Sequence, residues 1–198
     1  MPNWCDNFAE FRHEDPTQVQ RVLAAYKAGK LFGEFAPCPP ELLEHDAPAR
    51  GGDERAAQFI DKYGAKDWYD WCVSNWGTKW DIGEQEWDLG DLEPDSTMVG
   101  ISFQTAWAPP VEFYRTMTDD FGFDITAYYL EEGMSFAGKY TSEHDDDAHE
   151  FSDREDLANI PEDIREHWDL DSIMDSREEW DAENAEPEED TDSEEPQG

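Results

Sequence analysis

Two spacings of apolar residues divide this chain. Val99, Ile101, Phe103, Thr105 and Trp107 stand at every second position, the pattern of a strand with one buried face. The same period runs through residues 4–12, where Trp4 and Phe8 share a face, and through Thr78–Trp87 by way of Trp80 and Ile82. Phe123–Leu130 and Met134–Thr141 read as a strand and its return, joined by a turn at Glu131-Glu132-Gly133. Elsewhere a period near 3.6 takes over. Asp15-Pro16 opens a helix with a capping carboxylate and a proline at the first helical position, and Gln18 stands three residues past the cap. Val19, Val22, Leu23 and Tyr26 form its apolar stripe, and Gly29 ends it. Further helices are predicted from about Asp53 to Tyr63, from Lys66 to Asn75, and from Pro110 to Phe121. Residues 31–52 carry Pro37, Pro39, Pro40, Pro48 and Gly51-Gly52 and read as loop, with a short helix near Pro40–Glu44.

The order is strand, helix, helical insertion (31–77), strand, strand, helix, strand, strand. Without the insertion this is βαββαβ plus one edge strand. It predicts an α+β fold with a ferredoxin-like split βαβ antiparallel sheet and two helices on one face, over residues 1–142. Residues 143–174 predict a marginally structured acidic appendage. There Leu157, Ile160, Ile164, Trp168, Leu170 and Ile173 supply a short strand and a helix entered at Pro161. Residues 175–198 predict a disordered acidic tail. Trp180 is its only large apolar residue, too little to offset roughly 1–2 kcal/mol of backbone entropy per ordered residue.

Charge changes this picture more than composition does. The net charge is −37, and over half of it falls in residues 143–198. Such a field repels nucleic-acid phosphates and anionic lipid and attracts basic surfaces. Hydrophobic residues make up only 37%, yet nine residues are Trp, so the folded part can bury large rings. No apolar run reaches the length of a membrane span, and no basic-then-apolar leader opens the chain, so a cytoplasmic protein is expected. Cys5, Cys38 and Cys72 read as reduced, buried thiols rather than a disulfide frame or a zinc site.

Four stretches carry a resemblance. They are Met1-Pro2-Asn3-Trp4-Cys5-Asp6-Asn7, Cys38-Pro39-Pro40, Trp71-Cys72-Val73-Ser74-Asn75-Trp76-Gly77-Thr78-Lys79-Trp80-Asp81, and Phe103-Gln104-Thr105-Ala106-Trp107-Ala108-Pro109-Pro110. In this order they resemble the YubB-type ferredoxin-like proteins of phages and conjugative plasmids, over about residues 1–140. The resemblance implies a ferredoxin-like fold and an origin on a mobile element, and it assigns no catalytic residue. The acidic stretch from 143 onward departs from it.

Candidate chemistry follows from these features. Trp4, Trp71, Trp76, Trp80 and Trp107, with Asn7 and Asn75, are expected to converge on one layer between sheet and helices. Their indole N–H groups would bond Asn3, Asn7 or Asn75. The alternative is an exposed stacking platform for nucleic acid or a small ligand, which needs a basic groove that Lys62, Lys66 and Lys79 scarcely provide. Pro2 as a free N-terminal amine, or Cys72 beside a histidine, would give an enzyme, but neither has the partners such chemistry needs. His144-Asp145-Asp146-Asp147-Ala148-His149-Glu150 lacks calcium-loop and zinc spacing, so no metal and no cofactor is expected. The expected contacts are the carboxylates Asp145, Asp146, Asp147, Glu150, Asp153, Glu155 and Asp156, with Trp168 as an anchor. They predict a non-enzymatic protein that engages a basic, nucleic-acid-binding host protein, in its sharpest form a DNA-mimic inhibitor of a host nuclease or defence system; the other readings of the acidity are a solvated coat that keeps the protein soluble and adaptation to high salt. Neither direct nucleic-acid binding nor membrane binding is expected.

Overall fold

The computed structural model describes residues 3–44, 54–84 and 90–184. The chain divides into two units, Met1–Ser152 and Asp153–Gly198. The first is built on a five-stranded antiparallel sheet in the order β2-β1-β3-β4-β5. Its strands are β1 (Trp4–Arg12), β2 (Met98–Ala106), β3 (Asp124–Glu131), β4 (Phe136–Thr141) and β5 (Asp145–Glu150). Among the described residues six helices accompany it: α1 (Pro16–Lys27), α2 (Leu31–Phe35), α3 (Pro40–Leu43), α4 (Glu54–Tyr63), α5 (Trp68–Trp76) and α6 (Val111–Asp119). The class is the expected one, α+β, with α1 and α6 packed into one core on one face of the sheet.

That core is set by strand parity. In β1 the buried side chains are Cys5, Asn7, Ala9 and Phe11. Ala9 pairs with Ile101 and Ala127, and Phe11 with Val99 and Ile125, so the paired residues share the helix-covered face. The expected pairing of Trp4 and Phe8 on the buried face is therefore one residue out of phase, because a one-residue shift moves every side chain to the other face. Trp4 is exposed, and Phe8 lies half-buried on the open face.

α1 starts as its sequence predicts. The Asp15 carboxylate accepts from the Thr17 N–H at 2.9 Å, and Val19, Val22, Leu23 and Tyr26 are buried. The chain then leaves through Gly29 at φ 66°, where a Cβ would sit 2.4 Å from the Gly83 carbonyl oxygen. Only glycine meets both demands there.

Two departures shape the rest. The strand expected over Thr78–Trp87 does not form across Thr78–Glu84; residues 85–87 lie outside the described residues. The backbone is diverted by Asp81, whose carboxylate accepts from the N–H groups of Phe32, Gly33 and Ile82 at 3.0, 2.8 and 2.9 Å. Asp81 thereby satisfies free N–H groups at the start of α2, a helix within the stretch read as loop. Burial pushes the Asp81 carboxyl pKa up, although these three donors act against the shift. Leu31, Phe32 and Phe35 of α2 are buried among Trp76, Phe103 and Phe113.

The second departure is at the other edge. The expected boundary after residue 142 falls after Ser152, because β5 pairs along β4 from Thr141–Asp145 to Phe136–Glu150. The second unit holds α7 (Arg154–Asn159), α8 (Glu162–Trp168) and α9 (Leu170–Asn184). It buries Leu157, Ile160, Ile164, Leu170 and Met174. Residues 175–184, expected in a disordered tail, are helical; 185–198 lie outside the described residues. Among the described residues no helix is long and apolar enough to cross a membrane.

Candidate functional site

Two surfaces of the sheet unit stand out, one at each edge strand. The first is β5. Its sequence Asp145-Asp146-Asp147-Ala148-His149-Glu150 has little intrinsic strand propensity, so the strand depends on its neighbours. Asp145, at φ 64°, turns the chain into the strand, and both its carboxylate oxygens are held by Arg115 of α6, at 2.9 and 3.1 Å. Arg115 also pairs with Glu112. Asp146 Oδ1 accepts from the Tyr129 hydroxyl at 2.6 Å. The Tyr129 ring lies across Gly138, where a Cβ would meet its hydroxyl oxygen at 2.2 Å. The hydrogen-bonded end of Asp146 is shielded, and burial raises its carboxyl pKa even though the residue as a whole is exposed. Burial, then the Asp146 charge, also raises the Tyr129 hydroxyl pKa. Asp147 approaches His149 Nε2 at 3.1 Å, and Glu150 is exposed.

The remaining acidic candidates lie in the second unit and carry out local work. Asp153 caps α7 by accepting from the N–H groups of Glu155 and Asp156 at 2.8 and 2.9 Å. Glu155 and Asp156 occupy the first turn, where the helix dipole favours negative charge. Trp168 is half-buried at the end of α8, edge-on to His167.

The second surface gathers part of the tryptophan set. The expected single buried layer does not form. Trp76 is buried, and Trp71 packs edge-on against it with ring centroids 5.8 Å apart. Trp4, Trp80 and Trp107 are instead 45, 44 and 43% exposed. Parity places Trp4 on the open face, and a φ of 76° turns Trp107 out of the β2 alternation. Nor do the asparagines serve the indoles. Trp76 Nε1 donates to the Ala36 carbonyl at 2.8 Å. Asn7 Nδ2 donates to the Cys5 carbonyl and to Thr105 Oγ1, and Asn75 Nδ2 to the Trp71 carbonyl.

Lys79 joins the exposed rings. Its ammonium lies 3.8 Å from the Trp80 ring centroid and 5.9 Å from that of Trp107. It also lines two clefts. One, about 340 Å³, is walled by Leu43, Trp68, Cys72, Trp76, Trp80 and Asp81. The other, about 250 Å³, is walled by Tyr69, Val73, Gly77, Thr78 and Trp107. The sequence set Lys79 beside the rings only as part of a scant basic groove with Lys62 and Lys66; its place over two indole faces comes from a loop that Asp81 anchors to α2.

Cys72 and Cys38 are buried and face one another; their contact lowers the Cys38 pKa and raises that of Cys72. Pro2 lies outside the described residues.

The family model described as "Ferredoxin-like domain in Api92-like protein" matches residues 75–193. A crystal structure of the protein api92 from Yersinia pseudotuberculosis is similar at 12% sequence identity, with a TM-score of 0.40. The alignment covers 77% of this chain and 99% of that one. No curated protein matches.

Proposed function

From a chain that belongs to the family of ferredoxin-like domains in Api92-like proteins, we propose a non-enzymatic binding protein that takes up a cationic segment of a partner along β5. The observation that supports this most is that β5 is an exposed edge strand carrying four carboxylates on a sheet scaffold rather than on a loose tail. An edge strand presents unpaired backbone donors and acceptors, so an extended segment can add to it by main-chain hydrogen bonds. The carboxylates select what adds. They repel acidic strands, including a second copy of this one, and attract lysine- and arginine-rich ones.

Charge density favours a cationic segment over full imitation of duplex DNA by this strand. Duplex DNA carries one charge per roughly 1.7 Å of axis. Arg115 offsets Asp145, and Tyr129 holds Asp146, which leaves Asp147 and Glu150 as the outward charges. Three residues of strand separate these by about 10 Å. A basic nucleic-acid-binding protein of a host remains the partner class, through a flexible basic arm rather than a duplex-sized groove. An origin on a phage or plasmid, implied by the likeness to YubB-type proteins, suits a protein that occupies such an arm.

The test uses the full chain and a ten-residue lysine-rich peptide. Binding should weaken steeply between low and moderate salt, and the double variant Asp147→Lys, Glu150→Lys should lose it. Equal binding by the variant would exclude β5 as the contact. Competition with duplex DNA for a basic nuclease, at a one-to-one ratio and independent of β5, would restore the DNA-mimic form.

A further inference from the structure

We propose that the Trp80–Lys79–Trp107 cluster is a binding site for a small organic carboxylate with a ring-sized apolar body. The carboxylate would sit on Lys79 and the body in the neighbouring cleft. The site is distinct from β5, since Trp107 follows the opposite edge strand.

The first argument is the state of Lys79. In a chain with 51 acidic and 14 basic residues, at least three of the six lysines hold a carboxylate. Lys27 holds Asp91, Lys62 holds Glu41, and Lys66 holds Asp70. Among the described residues Lys79 has no such partner; its contacts are with the two indole faces. Asp81, in the same cleft, is committed to three backbone N–H groups. Lys79 is only partly buried, and a charge-assisted pair with an anion there would gain strength from the apolar surroundings.

The second argument is rigidity. Trp107 holds a left-handed backbone conformation, φ 76°, that is strained for a bulky residue. The fold fixes it: Trp107 N–H donates to the Asn3 carbonyl at 3.0 Å. On either side, Thr78 Oγ1 donates to the Ala106 carbonyl and Thr105 Oγ1 to the Ala108 carbonyl. Gly77 closes α5 at φ 86°, and a Cβ there would lie 2.9 Å from the Pro109 carbonyl. A large indole is thus held 43% exposed at a cost in backbone strain. Such strain concentrates at ligand sites.

The third argument is size. At about 340 Å³ the larger cleft stands at the low end of ligand pockets, which run from roughly 300 to 1,000 Å³. It suits one ring or one branched side chain, walled by Trp68, Trp76 and Trp80. The surrounding charge selects against polyanions, because each added phosphate meets the field of the whole chain. A monoanion with an apolar body satisfies the cation, the aromatic walls and the field together.

The experiment is calorimetric titration of the full chain with indole-3-acetate and its neutral isostere indole-3-acetamide. The acid should bind at least tenfold more tightly than the amide. Lys79→Met should reduce the acid to the level of the amide, while Lys79→Arg keeps the preference; Lys79 is only partly buried, and retention of the fold by both variants is verified by far-ultraviolet circular dichroism. Absence of binding by either compound, or equal affinity for acid and amide, would overturn the proposal. Tighter binding of a ten-nucleotide thymidine strand than of the acid would overturn it in favour of nucleic-acid stacking.

Discussion

The two edges of one sheet are built in opposite ways. At β5 most side chains are charged; Asp145 and Asp146 are engaged from behind by Arg115 and Tyr129, and Asp147 approaches only His149 of its own strand. Past the end of β2 the side chains are large rings. Trp80 shares a cleft with Trp76, which belongs to a buried aromatic layer in which Phe32, Trp76, Phe103 and Phe113 meet at ring distances of 4.7–6.0 Å. The acidic edge draws its order from partners, so its surface can change at little cost. The aromatic end is part of the core on one side, so its surface geometry is tied to global stability. The lesson is that charge advertises a surface in sequence, whereas rigidity is hidden in long-range packing.

The largest expected effect breaks the aromatic end. Trp76→Ala removes a buried indole and its bond to the Ala36 carbonyl, and should cost roughly 3–5 kcal/mol, read from urea denaturation. A cost below 1 kcal/mol would mean that the Trp80–Trp107 surface does not depend on the layer beneath it. Next, Tyr129→Phe removes a hydrogen bond to a carboxylate and should cost about 1.5 kcal/mol. Amide exchange should localise its loosening to β5, not to β2. Smaller still, Arg115→Ala should cost under about 1 kcal/mol, as partly exposed ion pairs do. By releasing the Asp145 charge it should tighten binding of a lysine-rich peptide; weaker binding would show that Asp145 must be held for the strand to form.

The smallest effect concerns pH. Burial places the Asp146 carboxyl pKa above that of the unfolded chain. As pH falls through the folded value, the native state takes up this proton first, so this group adds stability where its pKa is raised and loses it as pH rises past that window. Peptide binding moves the other way, since protonation removes an anion from β5. A parallel rise of both on acidification would contradict the assignment.

How much of this was legible in sequence differs between the two edges for the same reason. β1, α1, β2 and the β3–β4 hairpin follow from local spacing and local caps such as Asp15. α2 was hidden because its N-terminal donors are met by Asp81, which no local pattern connects to Phe32. β5 was hidden because three consecutive aspartates argue against a strand until β4 offers its edge and Arg115 and Tyr129 hold the carboxylates. The acidic candidates were visible by composition, but their internal engagements were not. The tryptophans were visible as a set; their division into buried Trp76 and exposed Trp4, Trp80 and Trp107 required the parity of β1 and the turned backbone at Trp107.

The most direct measurement is amide hydrogen exchange over residues 145–150 of the full chain, with and without a saturating lysine-rich peptide. Strand addition should slow exchange in β5 by at least tenfold at low salt, with the protection lost at high salt and in the Asp147→Lys, Glu150→Lys variant. Unchanged β5 exchange while the peptide remains bound would contradict the account.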